Sequence, residues 1–458
     1  MTEIATKSLL AEGAKTIVLR LREAGFQALF AGGCVRDMIL GREPKDFDVV
    51  TDAPPEKVLG LFPRAVAVGK AFGVVRVGVN RNTCPPEQWA TGAKVDYYDV
   101  ATYRKDGVYR DGRHPQSVAF TDERTDAARR DFTINAIFFD PIEGKLRDYV
   151  GGKEDIDNKI IRTVGKPAER FQDDHLRMLR AVRFAATLNF VIEQGTADSI
   201  KQQAALIGRV SAERIQQELS RILLESAQPG SALEMLSAFG LLQEIMPEAE
   251  TMRGQEQPPQ FHPEGDVWTH TILMLNALTR PSLRLAYAVL LHDIGKPVTA
   301  IKAPDRIRFN RHAEFGAAIA TTILQRLRLP SADIKAVSHI IGNHMRFMDV
   351  RRMRKSTLRR LITADTFPDE LELHRLDCVA SHGDMQNYCF LADFKAKFEV
   401  EPVLPPPLIK GNDIIALGVS PGPDVGRLKK AAYDAQLESK FDGRNAALKW
   451  LKNKLGKR

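Results

Sequence analysis

The chain has 458 residues, 44% of them hydrophobic, and sets 66 Lys and Arg against 58 Asp and Glu, a formal net charge of +8. That length suits roughly three or four domains with real cores, and the positive balance favours a polyanionic partner such as nucleic acid. No stretch approaches the roughly 18 to 20 apolar residues of a membrane span. The opening MTEIATKSLLAEGAK lacks a signal-peptide core, and four scattered cysteines (Cys34, Cys84, Cys378, Cys389) make neither a zinc ribbon nor a disulfide framework. The expectation is a cytoplasmic chain with no membrane partner.

Short apolar runs with turns come first: FQALFAGG, DFDVV, GVVRVGVN, VDYYDVATYR and FTINAIFFD. They read as strands, with NRNTCPPEQWATGAK (80–94) as a loop among them. Near residue 150 the texture changes. In LRMLRAVRFAATLNF and AERIQQELSRILLESA apolar residues recur at three and four, the amphipathic-helix period. The expected fold class is therefore α+β, an N-terminal α/β head followed by all-α segments. Proline and polar clusters at 247–265 and 399–411 predict breaks.

The stretch GGCVRDMILGREPKDFDVV sets Asp46 and Asp48 two apart, so on a strand both carboxylates share one face. Like charges side by side repel unless a cation lies between them. Hard divalent ions prefer such oxygens and can assist displacement of pyrophosphate. Gly32 and Gly33 let backbone amides approach a phosphate, and the helix starting at VRD favours anions at its N-terminus. DFD alone is more often a solvated strand edge, and a glycine pair alone means little.

GGCVRDMILG followed by DFDVVTDAPPEKVLGLFP resembles the head of class II CCA tRNA nucleotidyltransferases and bacterial poly(A) polymerases. The likeness continues through GKAFGVVRVGV, YDVATYRKDGVYRDGRHPQSVAF, ARRDFTINAIFFD, ERFQDDHLRMLRAVRFAATLNF and SAERIQQELSRIL, covering about residues 25 to 260. The resemblance implies a nucleotidyltransferase head (1–150), a helical neck with nucleotide- and RNA-binding motifs (151–260), an HD domain (261–398) and a helical tail (399–458). It makes Asp46 and Asp48 the expected Mg2+ ligands. Asp99 stands where the family supplies a third catalytic carboxylate, more often Glu. Residues 104–118 match a flexible loop linked in the family to addition of the final adenosine.

Nucleotide contact is expected at Gly32, Gly33 and Arg36, and at Arg129, Arg130, Asp131 and Asn135 of RRDFTINA, where Arg can fork onto phosphate and Asp or Asn can bind ribose. RRD is expected to start a structural element. Asp174 and Arg177, three apart and so expected on one helix face, pair an acceptor with a donor that can complement cytosine or adenine without a template strand. The family pattern is Glu-Asp-x-x-Arg; here Asp173 replaces Glu and His175 stands where proline is frequent. Arg180 and Arg183 continue the spacing toward phosphate or the head-to-neck junction. Arg214 and Glu218, four apart, are expected to orient the neck through an ion pair.

Beyond the neck, His270, His292 with Asp293, and Asp377 match the order of HD-superfamily domains, with His312 and His344 as candidate extra ligands. Imidazole and carboxylate together suit a divalent transition metal and phosphoester hydrolysis. The tail motif PGPDVG is expected to open a helix. The reading favoured is CCA addition to tRNA 3' ends from CTP and ATP. The alternatives are a poly(A) polymerase or A-adding enzyme, and an HD phosphohydrolase with an RNA-binding head.

Overall fold

The computed structural model describes residues 8–69, 73–80, 95–107, 117–398 and 403–456. Cys84, residues 81–94 of the expected loop, residues 108–116 of the segment matched to the family's flexible loop and residues 399–402 of the last break lie outside the described residues. The chain divides into two compact units, Met1–Pro247 and Glu248–Arg458.

The first unit is built on a seven-stranded sheet. Its strands β1 (Ala28–Ala31), β2 (Asp48–Thr51), β3 (Ala65–Gly69), β4 (Val74–Asn80) and β5 (Val95–Thr102) are joined by Ile137–Asp140 and Lys145–Asp148. Across the sheet the order is β3, β4, β5, β2, β1, then those last two strands. Only β2 and β5 pair in parallel; all other neighbours are antiparallel. Every residue of β1 is buried, the pattern of a central strand covered on both faces. The helix Leu9–Glu23 packs against β1 and β2, burying Ala14, Ile17, Val18 and Leu21 as one stripe.

Helices follow the sheet. Arg177–Leu188 packs against Ala212–Glu225, whose Ile215, Leu219, Ile222 and Leu223 form its buried stripe. Two expectations about local structure need correction. RRD does not start an element: it trails the helix Glu123–Ala128, Arg129 being its C-cap, and precedes a one-turn 3-10 helix at Thr133–Asn135. Nor do Asp174 and Arg177 share a helix. Pro167–Asp173 ends at Asp174, whose backbone is extended, and a second helix begins at Arg177. The ring of His175 takes up the Phe171 carbonyl at 2.7 Å, so it secures the end of the first helix.

In the second unit, helices Val267–Asn276, Leu283–Leu291, His312–Arg326, Ser331–Asn343 and Phe367–Ala380 surround a core containing Trp268, Tyr287, Ile323 and Leu376. A hairpin, Ala300–Lys302 with Ile307–Phe309, stands between the second and third. Gly295 permits a close approach here: a Cβ would lie 2.2 Å from the His312 carbonyl oxygen and 2.6 Å from the Gly316 nitrogen. Toward the end of the chain, Pro423 opens the helix Pro423–Leu437, as the PGPDVG motif predicts. This helix and Gly443–Leu455 share a core of Leu428, Ala432, Ala447 and Leu451. No described helix is long and apolar enough to cross a membrane.

Candidate functional site

Phe47 is buried between Asp46 and Asp48 and meets Phe30 edge-on at 5.2 Å, which turns both carboxylates to the opposite side. Asp46 lies two residues before β2, outside the strand, and Asp48 is the first residue of the strand. Burial of the Asp48 carboxylate and then the charge of Asp46 push its pKa up to about 6, although its outer edge still faces water. The nearby Arg130 acts in the other direction. A divalent cation relieves this strain directly, so the two carboxylates fit the hard ion expected from the sequence.

Asp99 reaches the same neighbourhood, because Val49 of β2 pairs with Val100 of β5. Its carboxylate is held across the sheet by Arg76 at 2.8 and 3.1 Å. Gly32, with φ of 77°, needs glycine on two counts. The backbone is left-handed, and a Cβ would lie 3.2 Å from Arg130 Nη1 and 3.9 Å from Asp48 Oδ2.

These groups border a hollow of about 760 Å³, and every expected head residue except Asp99 lines it. Its arginines are anchored by a residue the sequence reading missed. Asp126, only 1% exposed, accepts from Arg129 Nε and Nη2 at 2.9 and 2.6 Å and from Arg130 Nε and Nη2 at 3.1 and 3.0 Å. The signal was present, since Asp126 precedes them by three and four residues. Asn135 is fixed by Arg36, whose Nη1 donates to its Oδ1 at 2.8 Å, and donates to Asp131 at 3.3 Å.

On the helical side, Arg180 grips Asp131 at 2.9 and 2.5 Å and Arg183 grips Glu218 at 2.6 Å. Burial alone would raise the Asp131 pKa, yet Arg180 and then Arg177 hold it down at about 2. Arg177 spends its donors on the Arg170 and Arg129 carbonyls, 3.1 and 3.4 Å away. Asp174 is forked instead by Arg214, at 3.1 and 2.7 Å. Arg214 and Glu218 therefore serve separate partners, Asp174 and Arg183, and the expected i, i+4 pair is replaced by two longer links.

The second unit gathers the other expected cluster. His270 Nε2 lies 3.2 Å from Asp377 Oδ1, and His292 Nε2 lies 3.1 Å from Asp293 Oδ2, yet both nitrogens are buried without a hydrogen bond. Their Nδ1 atoms are engaged elsewhere, His292 with the Val289 carbonyl at 2.9 Å and His270 with Glu264 at 2.6 Å. A ring so tied on one side presents a lone pair on the other, and a buried lone pair beside a carboxylate suits a metal. Burial alone would lower the His270 pKa, but Asp377 and Glu264 outweigh it and raise it to about 9, so at neutral pH Nε2 carries a proton that a bound cation would displace. Lys296 Nζ also reaches Asp293, at 2.7 Å, and Gln257 at 2.5 Å. Sequence reading passed over both Glu264 and Lys296; only the Lys296 spacing, three after Asp293, was a local signal.

Residues 28–162 match the Poly A polymerase head domain, 189–252 the probable RNA- and SrmB-binding site of polymerase A, and 267–367 the HD domain. The CCA-adding enzyme of Bacillus subtilis (strain 168) is 34% identical over 362 residues, covering 79% of each chain. The chain belongs to the CCA-adding enzyme family. The family member from Bacillus pumilus (strain SAFR-032) is 41% identical over 230 residues; the match spans 50% of this chain and about half, 54%, of that one. The CCA-adding enzyme of Bacillus stearothermophilus, solved in complex with CTP, is similar over 98% of both chains with TM-score 0.71 and 26% identity.

Proposed function

We propose that the chain completes tRNA 3' ends by adding C, C and A from CTP and ATP without a template strand. The observation that carries this reading is the hollow, in which the Asp46 and Asp48 carboxylates face an arginine-rich wall and the forked Asp174. Asp46 and Asp48 would hold magnesium, which would neutralise charge as the primer hydroxyl attacks the α-phosphate and the bond to the departing pyrophosphate breaks. The chain's own groups do the positioning. Arg129 and Arg130, steadied by Asp126, offer positive charge to the triphosphate, while Gly32 leaves space beside Asp48. Asp174 is held in one orientation by Arg214, a condition for reading a base edge by hydrogen bonds.

The test is incorporation with magnesium, giving CTP and ATP separately and together to tRNA transcripts ending before CCA, after C and after CC. Two C and one A, then arrest, support the reading. Extension of the CC-ended transcript alone, or a long A tail on unrelated RNA, refutes it in favour of an A-specific enzyme.

The buried imidazole lone pairs favour a second activity, hydrolysis of a small phosphoester in the Glu248–Arg458 unit. A water oxygen joins phosphorus, the P–O ester bond breaks, and the water proton ends on the departing oxygen. A hollow of about 580 Å³ borders Asp293 and Asp377, with Lys296, Arg306 and Arg308 supplying positive charge.

A further inference from the structure

We propose that Phe184 is a positioning residue for sugar recognition, its ring steadying Arg36 and Arg180 and, through them, the Asn135 and Asp131 side chains that meet the ribose of an incoming nucleotide. Three guanidinium groups crowd this one ring. That of Arg183 lies 4.1 Å from its centroid, that of Arg36 5.2 Å and that of Arg180 5.3 Å. Arg180 comes from one turn earlier on the helix Arg177–Leu188 and Arg183 from the preceding residue, whereas Arg36 arrives from the helix Gly33–Ile39 of the head. The negative face of an aromatic ring attracts such cations, most strongly where water is scarce. Phe184 is 5% exposed and Arg36 9%, so here it is scarce.

Two of the three cations lead to the sugar-binding pair. Arg36 Nη1 donates to Asn135 Oδ1 at 2.8 Å, and Arg180 Nε and Nη2 donate to Asp131 Oδ2 at 2.9 and 2.5 Å. Asn135 Nδ2 in turn donates to Asp131 Oδ1 at 3.3 Å, which closes a circuit. Arg36 and Arg180 hydrogen-bond different carboxylates, Asp37 and Asp131, and the ring is what they share. Phe132, the residue after Asp131, is fully buried and meets the Phe184 ring edge-on at 5.6 Å, so the same ring also braces the backbone of the pair. The third cation, Arg183, is spent on Glu218 at 2.6 Å and ties the ring's own helix to Ala212–Glu225.

Ribose differs from deoxyribose by one hydroxyl. A site built to hydrogen-bond that hydroxyl rejects the analogue lacking it only while its donors and acceptors stay in place. Loosening Arg36 and Arg180 therefore shows first in the choice of sugar. The inference rests on the reading of the hollow as a nucleotide site; Phe184, Arg36, Arg180, Asp131 and Asn135 all line it.

The experiment replaces Phe184 in the full chain, by amber suppression, with mono-, di- and trifluorinated phenylalanine. Fluorine leaves the ring's size and apolarity nearly constant while it drains the negative face step by step. Incorporation of CTP and of dCTP is measured with magnesium on a tRNA transcript ending before CCA. The preference for CTP, taken as the ratio of kcat/KM values, is expected to fall stepwise, by about tenfold at the trifluorinated ring, where both cation–π contacts are weakened together. Phe184→Leu is expected to fall at least as far, and an unchanged preference there overturns the inference. A role in packing alone predicts a flat fluorine series. A flat series in a chain that prefers CTP overturns the inference and leaves the transfer reading standing, as does a parent chain that uses the two nucleotides equally. A parent chain that incorporates neither removes the transfer reading and the inference together.

Discussion

Asp126→Ala is the most informative single change in the nucleotidyltransferase unit. It removes a carboxylate that is 1% exposed and accepts four hydrogen bonds from two arginines. Breaking a buried charge pair from one side costs roughly 3–5 kcal/mol. The Arg129 and Arg130 side chains keep 20% and 17% exposure, so water recovers part of the loss, and about 3 kcal/mol is the working figure. At about 2–4 °C per kcal/mol for a unit of this size, the first melting transition falls by roughly 6–12 °C. With both guanidinium groups released, kcat/KM for the nucleotide falls about 100-fold, the scale of a small misplacement near the reacting centre.

Scanning calorimetry and steady-state incorporation of CTP read the two effects. Burial alone would raise the Asp126 pKa, but Arg130 and Arg129 outweigh it and hold the carboxylate below its ordinary 3.8. Its stabilisation is therefore present above that value and is lost as pH falls through the lower folded-state value. The difference between the parent chain and the variant should narrow below about pH 4. Equal melting at neutral pH, an unchanged kcat/KM, or a gap that persists in acid would refute the reasoning.

Asp48→Asn should abolish nucleotide transfer yet raise melting in EDTA at about pH 8. The folded chain resists ionising Asp48, so the stability it contributes below about pH 4 is lost as pH rises through about 6. Two pKa units amount to about 3 kcal/mol, which water at the exposed edge reduces to about 1 kcal/mol; lower melting in the variant would contradict this. Gly32→Ala combines a left-handed backbone with a crowded Cβ and should cost about 1–2 kcal/mol and most of the transfer activity; a variant with full kcat would show that the approach of Gly32 to Arg130 and Asp48 is dispensable. Arg214→Leu should free Asp174 and raise misincorporation of UTP and GTP about tenfold with a smaller change in CTP turnover. Equal loss with all nucleotides would mean that Arg214 serves only the fold.

Much of this was legible in the sequence because the signals were local. Short apolar runs bounded by turns marked β4 and β5, and the three-and-four period marked Arg177–Leu188 and Ala212–Glu225. The spacing of two between Asp46 and Asp48 placed both carboxylates on one side. The break at Asp174 was not legible, since both flanking segments carry the same period and no proline stands between them. Nor was the partner of Asp174, because Arg214 lies forty residues away and arrives only through packing of the two helices. The expected Arg214–Glu218 pair fails for the same reason: each side chain finds a partner of opposite charge, half-buried Asp174 or buried Arg183, on Arg177–Leu188 or just before it. The His270 to Glu264 contact spans a turn with no regular period, so its geometry emerges only on folding.

The dispersal of the Asp131, Asp174 and Arg183 partners sets a limit on excision. A fragment ending at residue 162 retains Asp131 but loses Arg180, and one ending at 203 keeps Asp174 and Arg183 while discarding Arg214 and Glu218. The smallest autonomous nucleotide-binding piece must therefore run through the helix Ala212–Glu225, whose last residue stands 77 positions after Asp148, the end of the seven-stranded sheet. Domain-swap chimaeras joined earlier would fuse two halves of one charge network.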